Sequence, residues 1–321
     1  MDMILDMLLI ISGFVALIFG ANWLVNGASA LARKHNVSDL VIGLTIVAFG
    51  TSAPELVVNT VASIDGYSDI VLGNIIGSNN FNLFIILGLT GLIRPIKIQS
   101  STAKKEIPLS LFVAVLLLFM LNDFWFSGPA SVSRLEGGCL LLLFGFFLLY
   151  MFRQVKNDPV AQVNESQERV SVVKIWVEIL TGFAGLIIGG QLVVYNSVSL
   201  AEALGISEKI VGLTIVAIGT SLPELVTSVV AVSKKNSDIA IGNVIGSNIF
   251  NILLVLSISS LVNPISNNPA FNTDLMILIG GTLFLLLFMV TGKRKMLDRW
   301  EAGLLLGFYV VYTAYLVMLE V

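Results

Sequence analysis

Hydrophobic residues run along this chain in long stretches that short polar segments separate. A helix needs about 20 apolar residues to cross the hydrocarbon core of a bilayer. Ten stretches approach that length, and they lie near residues 5–32, 38–62, 70–93, 107–122, 132–152, 175–201, 209–232, 239–263, 274–292 and 300–319. The pattern predicts an all-α polytopic membrane protein with ten transmembrane helices.

The second half of the chain repeats the first. Residues 38–96 align without a gap onto residues 207–265, and 31 of the 59 pairs are identical. Five spans per copy is an odd number, so the second copy must enter the membrane from the opposite side. Inverted repeats of this kind are the architecture of many secondary transporters. A duplication kept only for packing is the alternative, but the identities cluster on polar residues, which helix packing in lipid does not require.

The longest polar segment separates the two copies. We therefore divide the chain into an N-terminal five-helix repeat at 1–152, a linker loop at 153–174 and a C-terminal inverted repeat at 175–321.

Composition excludes several classes of protein. Of the 321 residues, 56% are hydrophobic and 12% charged, and the mean hydropathy is +0.93. A soluble protein of this length cannot hide so much apolar side chain, which excludes a cytosolic enzyme. The formal charge of −3 shows no basic excess for nucleic acid. The single cysteine, Cys139, and the single histidine, His35, exclude an intramolecular disulfide and a metal site built on sulfur or imidazole.

Basic residues predict the orientation. Of the 18 Lys and Arg, 16 fall in loops on one side of the predicted topology, and Arg134 and Lys209 fall on the other. Lys and Arg are enriched in cytoplasmic loops. We therefore expect a multi-pass protein of the inner (plasma) membrane, with the 153–174 loop in the cytoplasm and both termini outside.

Two carboxylates lie near the middle of predicted spans. Glu55 and Glu224 end the hexapeptides GTSAPE and GTSLPE, at equivalent positions of the repeat. A carboxylate at that depth costs about 2.5–3.5 kcal/mol on insertion scales. Two carboxylates side by side would take up protons unless a cation lay between them. The repeat therefore predicts a cation site on its pseudo-symmetry axis.

Oxygen-bearing residues surround each carboxylate at helical spacing. The paired candidates are Thr51 with Thr220, Ser78 with Ser247, and Asn82 with Asn251. Ser52 and Ser221 are further candidates, although a bond back to their own helix would explain these two serines equally well. An all-oxygen shell selects hard cations such as Ca²⁺ or Na⁺. Two negative charges balance one Ca²⁺ or two Na⁺, and a site that holds either ion but not both supports exchange.

Prolines predict that the helices break at this site. Pro54 and Pro223 each remove a backbone donor and clash with the carbonyl four residues earlier, at Gly50 and Gly219. Carbonyls freed at membrane depth are tolerated where they line a cavity buried in protein. Broken helices would therefore add backbone oxygens to the cation site.

The doubled motif resembles a known family. GTSAPE with GNIIGSNNFN at 50–55 and 73–82 returns as GTSLPE with GNVIGSNIFN at 219–224 and 242–251. On this motif the chain resembles the cation/Ca²⁺ exchanger superfamily, and specifically the prokaryotic Na⁺/Ca²⁺ exchangers. The resemblance covers the whole chain and implies ten spans in two inverted halves.

The resemblance also implies ligands. Ca²⁺ would be held by the carboxylates of Glu55 and Glu224 and by the backbone carbonyls of Thr51 and Thr220. An outer Na⁺ site would comprise Glu55, Ser78, Thr220, Ser221 and the carbonyl of Ala217. Its inner partner would comprise Glu224, Ser247, Thr51, Ser52 and the carbonyl of Ala48. Asn82 and Asn251 would lie at the centre, and spans one and six would slide as a pair across the other eight.

One feature departs from some relatives, which carry Asp where this chain has Asn82 or Asn251. Asparagine at both positions removes a titratable group. Its absence counts against the proton-coupled branch of the family and against K⁺ co-transport, and it leaves the stoichiometry open.

The leading hypothesis is therefore a monomeric antiporter in the lipid bilayer, not an enzyme, that exchanges Na⁺ for Ca²⁺ and needs no cofactor. The first alternative is an H⁺/Ca²⁺ antiporter that uses the same carboxylates. A passive cation channel fits the inverted repeat less well. An intramembrane hydrolase lacks a suitable Ser/His pair, catalytic Asp pair or HExxH motif.

Overall fold

Helices make up almost all of the chain that the computed structural model describes, which comprises residues 3–34, 48–98, 102–122, 131–157, 171–233, 237–288 and 296–320. The α-helices are α1 Met3–Lys34, α2 Ala48–Thr51, α3 Ala53–Ile64, α4 Ser68–Asn80, α5 Leu87–Ile93, α6 Ile107–Leu121, α7 Arg134–Asn157, α8 Val172–Leu204, α9 Glu208–Val211, α10 Ala217–Thr220, α11 Leu222–Ser233, α12 Ser237–Phe250, α13 Leu256–Val262, α14 Phe271–Phe288 and α15 Arg299–Glu320. In the described ranges, four π-helical turns join or precede these helices, at Phe81–Ile86, Thr102–Glu106, Gly212–Val216 and Asn251–Val255. The predicted all-α class is confirmed.

Six helical segments in the described residues are long and apolar enough to cross a membrane. They are Met3–Ala28, Ser68–Ile93, Arg134–Arg153, Val172–Leu204, Ile239–Val262 and Phe271–Phe288. The segments Glu208–Thr220 and Leu222–Ser233 are bent by 46° relative to each other at a short break. Counted together, they form a seventh span. Helices α6 and α15 coincide with two further predicted stretches. The first part of the predicted span 38–62 lies outside the described residues, and the count of ten stays a prediction.

The two long helices α1 and α8 pack against each other in opposite directions. A Cβ added to Gly13 would lie 3.0 Å from the carbonyl oxygen of Gly189, and one added to Gly20 would lie 2.9 Å from that of Gly182. Glycines on both surfaces let the backbones approach this closely. Residues with higher numbers in α1 therefore contact residues with lower numbers in α8, so the two helices are antiparallel.

The repeated motif forms the centre of the molecule. Helix α4, its π-helical turn and α5 are buried along nearly their whole length, and so are much of α12 and α13. Helices α1, α7 and α8 instead expose large apolar side chains along one face, as a helix at a lipid boundary does. The polar residues of the repeat are thus enclosed by protein.

In the part of the chain that the structure describes, four short strands connect the two halves in antiparallel pairs. Ile96–Lys97 (β1) pairs with Met296–Leu297 (β4), and Ser131–Val132 (β2) pairs with Ile265–Ser266 (β3). Each pair joins a segment of the first half to a segment of the second. The strands β1 and β3 follow equivalent helices of the two repeats.

Candidate ion-binding site

Both helices that carry the predicted carboxylates are interrupted just before them. Helix α2 ends at Thr51, and α3 restarts after Ser52 with Pro54 as its second residue. The second half repeats this at Ser221, with Pro223 as the second residue of α11. Proline is tolerated in a first helical turn because the backbone donors there lack intrahelical partners. The predicted helix breaks are therefore present.

The carboxylates of Glu55 and Glu224 are buried, with 2% and 1% of each residue exposed. Each accepts a hydrogen bond from the serine at the break of the opposite half. The Ser221 hydroxyl lies 3.1 Å from Oε1 of Glu55, and the Ser52 hydroxyl lies 3.3 Å from Oε1 of Glu224. This reciprocal exchange places both acids at the interface between the two halves.

Among the predicted ligand residues, four buried side-chain oxygens have no hydrogen-bond donor in the described part of the chain. They are Oε2 of Glu55, Oε2 of Glu224, Oδ1 of Asn82 and Oδ1 of Asn251. Buried polar atoms are normally paired, and leaving one unpaired costs about 1–3 kcal/mol. Acceptors that lack donors suit a cation, because a cation offers positive charge to several oxygens at once.

The two asparagines are positioned by irregular helix geometry. Asn251 begins the π-helical turn Asn251–Val255, and Asn82 is the second residue of the turn Phe81–Ile86. π-Helical turns within longer helices often occur at functional sites. The π-helical turns recur in both repeats, and the two amides occupy equivalent positions of the repeat.

Ser78 and Thr220 meet on one side of the site. The Thr220 hydroxyl lies 3.0 Å from Oδ1 of Asn74, and the Ser78 hydroxyl lies 3.2 Å from the same oxygen. The Ser78 hydroxyl also lies 3.3 Å from the carbonyl oxygen of Ala217. Thr220, Ser78 and the Ala217 carbonyl, three of the predicted outer ligands, are thus brought together.

The predicted inner set, which is related to this one by the repeat, differs in detail. The Ser247 hydroxyl lies 3.4 Å from Oε1 of Glu224, on the same oxygen as Ser52. Thr51 ends α2 and is half-buried, and Ala48 begins that helix. The structure therefore gathers Ser52 and Ser247 directly on Glu224, with Thr51 just before the break.

A cavity of about 210 Å³ borders the site on the side of α1. Helix α1 contributes Asn22 and Val25 to its wall, and the broken helices contribute Thr51, Pro223 and Thr227. The cavity therefore lies between a long surface helix and the two helix breaks.

Four asparagines at the site were not predicted as site residues. They are Asn74, Asn79, Asn243 and Asn248, and they form two identical pairs of the repeat. Asn74 accepts from Thr220, and the Asn243 amide lies 3.2 Å from the carbonyl oxygen of Glu224. Duplication of a polar residue inside a buried span was the signal that could have found them.

The atoms available to bind a metal ion at this site are carboxylate, amide, hydroxyl and carbonyl oxygens. No group of three or more His, Cys, Asp or Glu able to hold a metal ion occurs in the described ranges. Zinc and copper prefer sulfur or imidazole, whereas Ca²⁺ accepts neutral oxygens beside carboxylates. The site therefore has the chemistry for a hard cation.

A buried ion pair lies elsewhere, at the start of the bent span. Lys209 Nζ is 2.8 Å from Oδ2 of Asp274, whose Oδ1 accepts from the Tyr312 hydroxyl at 2.8 Å. Lys209 also donates to the carbonyl of Ala270 at 2.7 Å. This basic charge is engaged by Asp274 and so does not serve as a counter-ion for Glu55 or Glu224.

A model of the family described as "Sodium/calcium exchanger protein" matches residues 5–153 and 174–318. The chain belongs to the sodium/calcium exchanger family. This membership confirms the resemblance carried by the doubled motif.

Individual relatives match the chain along nearly their whole length. The chain is 35% identical to "Sodium/calcium exchanger MaX1" of Methanosarcina acetivorans over 96% of its own length and 97% of the relative. It is 37% identical to "Putative antiporter CaxA" of Alkalimonas amylolytica over 97% and 98%. The fold matches a structure of the sodium-calcium exchanger NCX_Mj soaked with Na⁺ and Sr²⁺, with a TM-score of 0.65, 34% identity and coverage of 98% and 99%. These relatives are named as exchangers or antiporters, not as enzymes.

Proposed function

We propose that this member of the exchanger family is a secondary antiporter that moves Na⁺ one way and Ca²⁺ the other through one site at the interface of its halves. The observation that carries the proposal is the set of four buried oxygens without donors, on Glu55, Glu224, Asn82 and Asn251. The names of its relatives supply the ion pair.

The two ions compete because both need the same carboxylates. Ca²⁺ takes Glu55 and Glu224 together with the backbone carbonyls of Thr51 and Thr220. Na⁺ instead takes two positions that each draw on both halves. The outer position comprises Glu55, Ser78, Thr220, Ser221 and the Ala217 carbonyl, and the inner position comprises Glu224, Ser247, Thr51, Ser52 and the Ala48 carbonyl. With only two carboxylates at the centre, a Ca²⁺ ion and the full set of Na⁺ ions cannot both be balanced.

The architecture we propose is ten spans in two inverted repeats of five. The antiparallel packing of α1 on α8 supports it, because these helices begin the two repeats. The exchanged hydrogen bonds between Ser52 and Glu224 and between Ser221 and Glu55 support a two-fold pseudo-axis through the site.

We propose alternating access as the transport mechanism. Helices α1 and α8 would move together over the central helices and open the site to each side in turn. The cavity beside Thr51 supports this, since α1 forms one of its walls and the helix breaks form another.

The orientation we propose places both termini outside and the 153–174 loop in the cytoplasm of a prokaryotic inner membrane. Arg134 and Lys209 are the two basic residues that this topology places outside, and both have partners within the protein. Arg134 donates to the carbonyls of Leu261 and Val262 at the end of α13, each at 3.1 Å, and Lys209 pairs with Asp274. We propose that the protein acts as a monomer.

Transport in proteoliposomes tests the function. An imposed Na⁺ gradient should drive ⁴⁵Ca²⁺ uptake, and Glu55→Gln or Glu224→Gln should weaken Ca²⁺ binding on the order of 100-fold or more, because each removes one of the two balancing charges. Glu178→Gln is the matched control, since this acid sits on α8 in a partly exposed pair with Lys174. Uptake that survives both site substitutions would refute the site. Uptake driven by a pH gradient without Na⁺ would assign the protein to H⁺/Ca²⁺ exchange instead.

A further inference from the structure

Four asparagines form a connected set of hydrogen bonds across the interface between the two halves. Asn82 Nδ2 lies 3.0 Å from Oδ1 of Asn248, and Asn251 Nδ2 lies 3.0 Å from Oδ1 of Asn79. Asn79 Nδ2 lies 3.3 Å from the carbonyl oxygen of Asn248, and Asn248 Nδ2 lies 3.2 Å from that of Asn79. Every bond joins one repeat to the other.

These bonds leave each amide with a single satisfactory orientation. Backbone carbonyls can only accept, so they fix the Nδ2 atoms of Asn79 and Asn248 and thereby aim both Oδ1 atoms at the second pair. If Asn82 flipped, its own oxygen would face Oδ1 of Asn248, and two acceptors would meet. The same holds for Asn251 against Asn79.

These bonds also determine where the Oδ1 atoms of Asn82 and Asn251 point. With their Nδ2 atoms engaged, Asn82 and Asn251 present their Oδ1 atoms without any donor among the described residues. All four asparagines are buried, with at most 2% of any of them exposed. The set therefore holds two amide oxygens in one fixed orientation.

We propose that Asn79 and Asn248 are positioning residues for the transported ion, each acting through the ligand of the opposite repeat. Asn248 orients the oxygen of Asn82, and Asn79 orients that of Asn251. This inference rests on the proposed function, because it takes those two oxygens to be ion ligands. It also explains why amides suit positions 82 and 251, since an ionised Asp would place an oxygen where the Nδ2 donor stands.

The set belongs to the central helices and not to α1 or α8. Asn79 lies in α4 and Asn248 in α12, and their partners lie in the π-helical turns that follow. The orientation of the two amide oxygens should therefore persist while the surface pair moves.

Double-mutant cycles on the Ca²⁺ concentration for half-maximal uptake test the proposal. Asn248→Ala should raise that concentration about three- to tenfold, the value of a lost hydrogen bond, and should add nothing in an Asn82→Ala background. Its effect should multiply with that of Asn251→Ala. For Asn79→Ala the pattern should be reversed, with coupling to Asn251 and independence from Asn82. A purely structural role would not produce this crossed pattern.

Asn80→Ala is the matched control, because Asn80 is equally buried in the same helix but donates to the carbonyl of Asp274, outside the set. It should change thermal stability without changing half-saturation. Effects that multiply in all four cycles, or equal coupling to both partners, would overturn the proposal. If alanine variants do not yield folded protein, the same cycles are run with Ser, which keeps a polar group but is too short for the 3.0 Å contact.

The glutamate variants distinguish a failure of the positioning role from a failure of the proposed antiport function. If Glu55→Gln and Glu224→Gln abolish uptake while the cycles show no crossed coupling, only the positioning role fails. If the glutamate variants transport normally, the proposed function itself fails.

Discussion

Single hydroxyl groups decide how the two carboxylates are held. Glu224 accepts from Ser52 and Ser247 on one oxygen, and Glu55 accepts from Ser221. Ser78, the repeat equivalent of Ser247, bonds instead to Asn74 and the Ala217 carbonyl. Residues that are equivalent in the repeat are thus not equivalent in their contacts, so the two sides of the site should respond differently to the same substitution.

Removing one serine should separate Na⁺ from Ca²⁺ binding. Ser221→Ala deletes a hydroxyl that contacts Glu55 and that we assign to a Na⁺ position, while Ca²⁺ keeps both carboxylates. We expect the Na⁺ concentration for half-maximal exchange to rise at least about tenfold, since a hydrogen bond to a charged group contributes about 1.5–3 kcal/mol and about 1.4 kcal/mol is a factor of ten. Ca²⁺/Ca²⁺ self-exchange in Na⁺-free proteoliposomes should change little.

Ser257→Ala serves as its control, because this buried serine bonds to the carbonyl of Leu254 in the preceding turn. Equal loss of Na⁺-dependent exchange and of Ca²⁺ self-exchange in Ser221→Ala would contradict the assignment.

At the scale of elements, the site depends on helices that fail to continue. Both breaks occur at serines two residues before a proline, and the second half bends there by 46°. The break places each glutamate in the first turn of a new helix, where unpaired backbone N–H groups favour a negative charge. A continuous helix would offer the carboxylates neither those donors nor the bend.

Restoring the missing backbone donor should therefore harm transport without unfolding the protein. Pro223→Ala supplies an N–H that can bond to the carbonyl of Gly219, so the helix can continue through the break. In such a continuous helix the position is interior, where alanine is favoured over proline by about 3 kcal/mol. We expect a thermal midpoint equal to or above that of wild type in detergent. We also expect Na⁺-driven ⁴⁵Ca²⁺ uptake to fall at least about tenfold, because 1.4 kcal/mol of lost ion binding corresponds to that factor.

Pro108→Ala is a close control, since Pro108 is also the second residue of its helix, α6. It lies outside the broken spans and should leave uptake within about twofold, less than 0.5 kcal/mol. Normal uptake in Pro223→Ala would show that the break is dispensable.

Across the whole molecule, the long antiparallel pair α1 and α8 packs by close backbone contact. A Cβ on Gly20 would lie 2.8 Å from the amide nitrogen of Leu186 and 2.9 Å from the carbonyl oxygen of Gly182, so backbone atoms crowd it from two directions. Such a contact cannot be relieved by rotating a side chain. The pair must either separate or shift as a unit.

Gly20→Ala should consequently destabilise the protein by about 1–3 kcal/mol, the range for overpacked interiors. Gly145→Ala in α7 should be neutral or stabilising by up to about 1 kcal/mol, because a Cβ there meets no other described atom within 4 Å and alanine favours the helix. Thermal unfolding of both variants in one detergent measures the difference. A Gly20→Ala variant as stable as Gly145→Ala would show that the pair is loosely packed.

The sequence by itself determined the helical class and the exchanger family, and it identified two glutamates inside apolar spans. Hydropathy along the chain marked apolar helices that the structure contains, and the doubled motif identified the exchanger family that the family model and the relatives support. Glu55 and Glu224 stood out because charge inside an apolar span is rare, whatever the packing around it. Proline chemistry located both helix breaks, since the missing N–H is a local property.

Only the tertiary structure decided which atoms meet. The exchange of serine bonds between the breaks and the crossed asparagine set join residues 166–172 positions apart in sequence, and no helical period encodes such contacts. Asn79 and Asn248 were missed for this reason, because an amide has both donor and acceptor atoms and only its neighbours decide which of them is used. The π-helical turns at Asn82 and Asn251 were likewise not predicted, because no proline or glycine in these segments marks them.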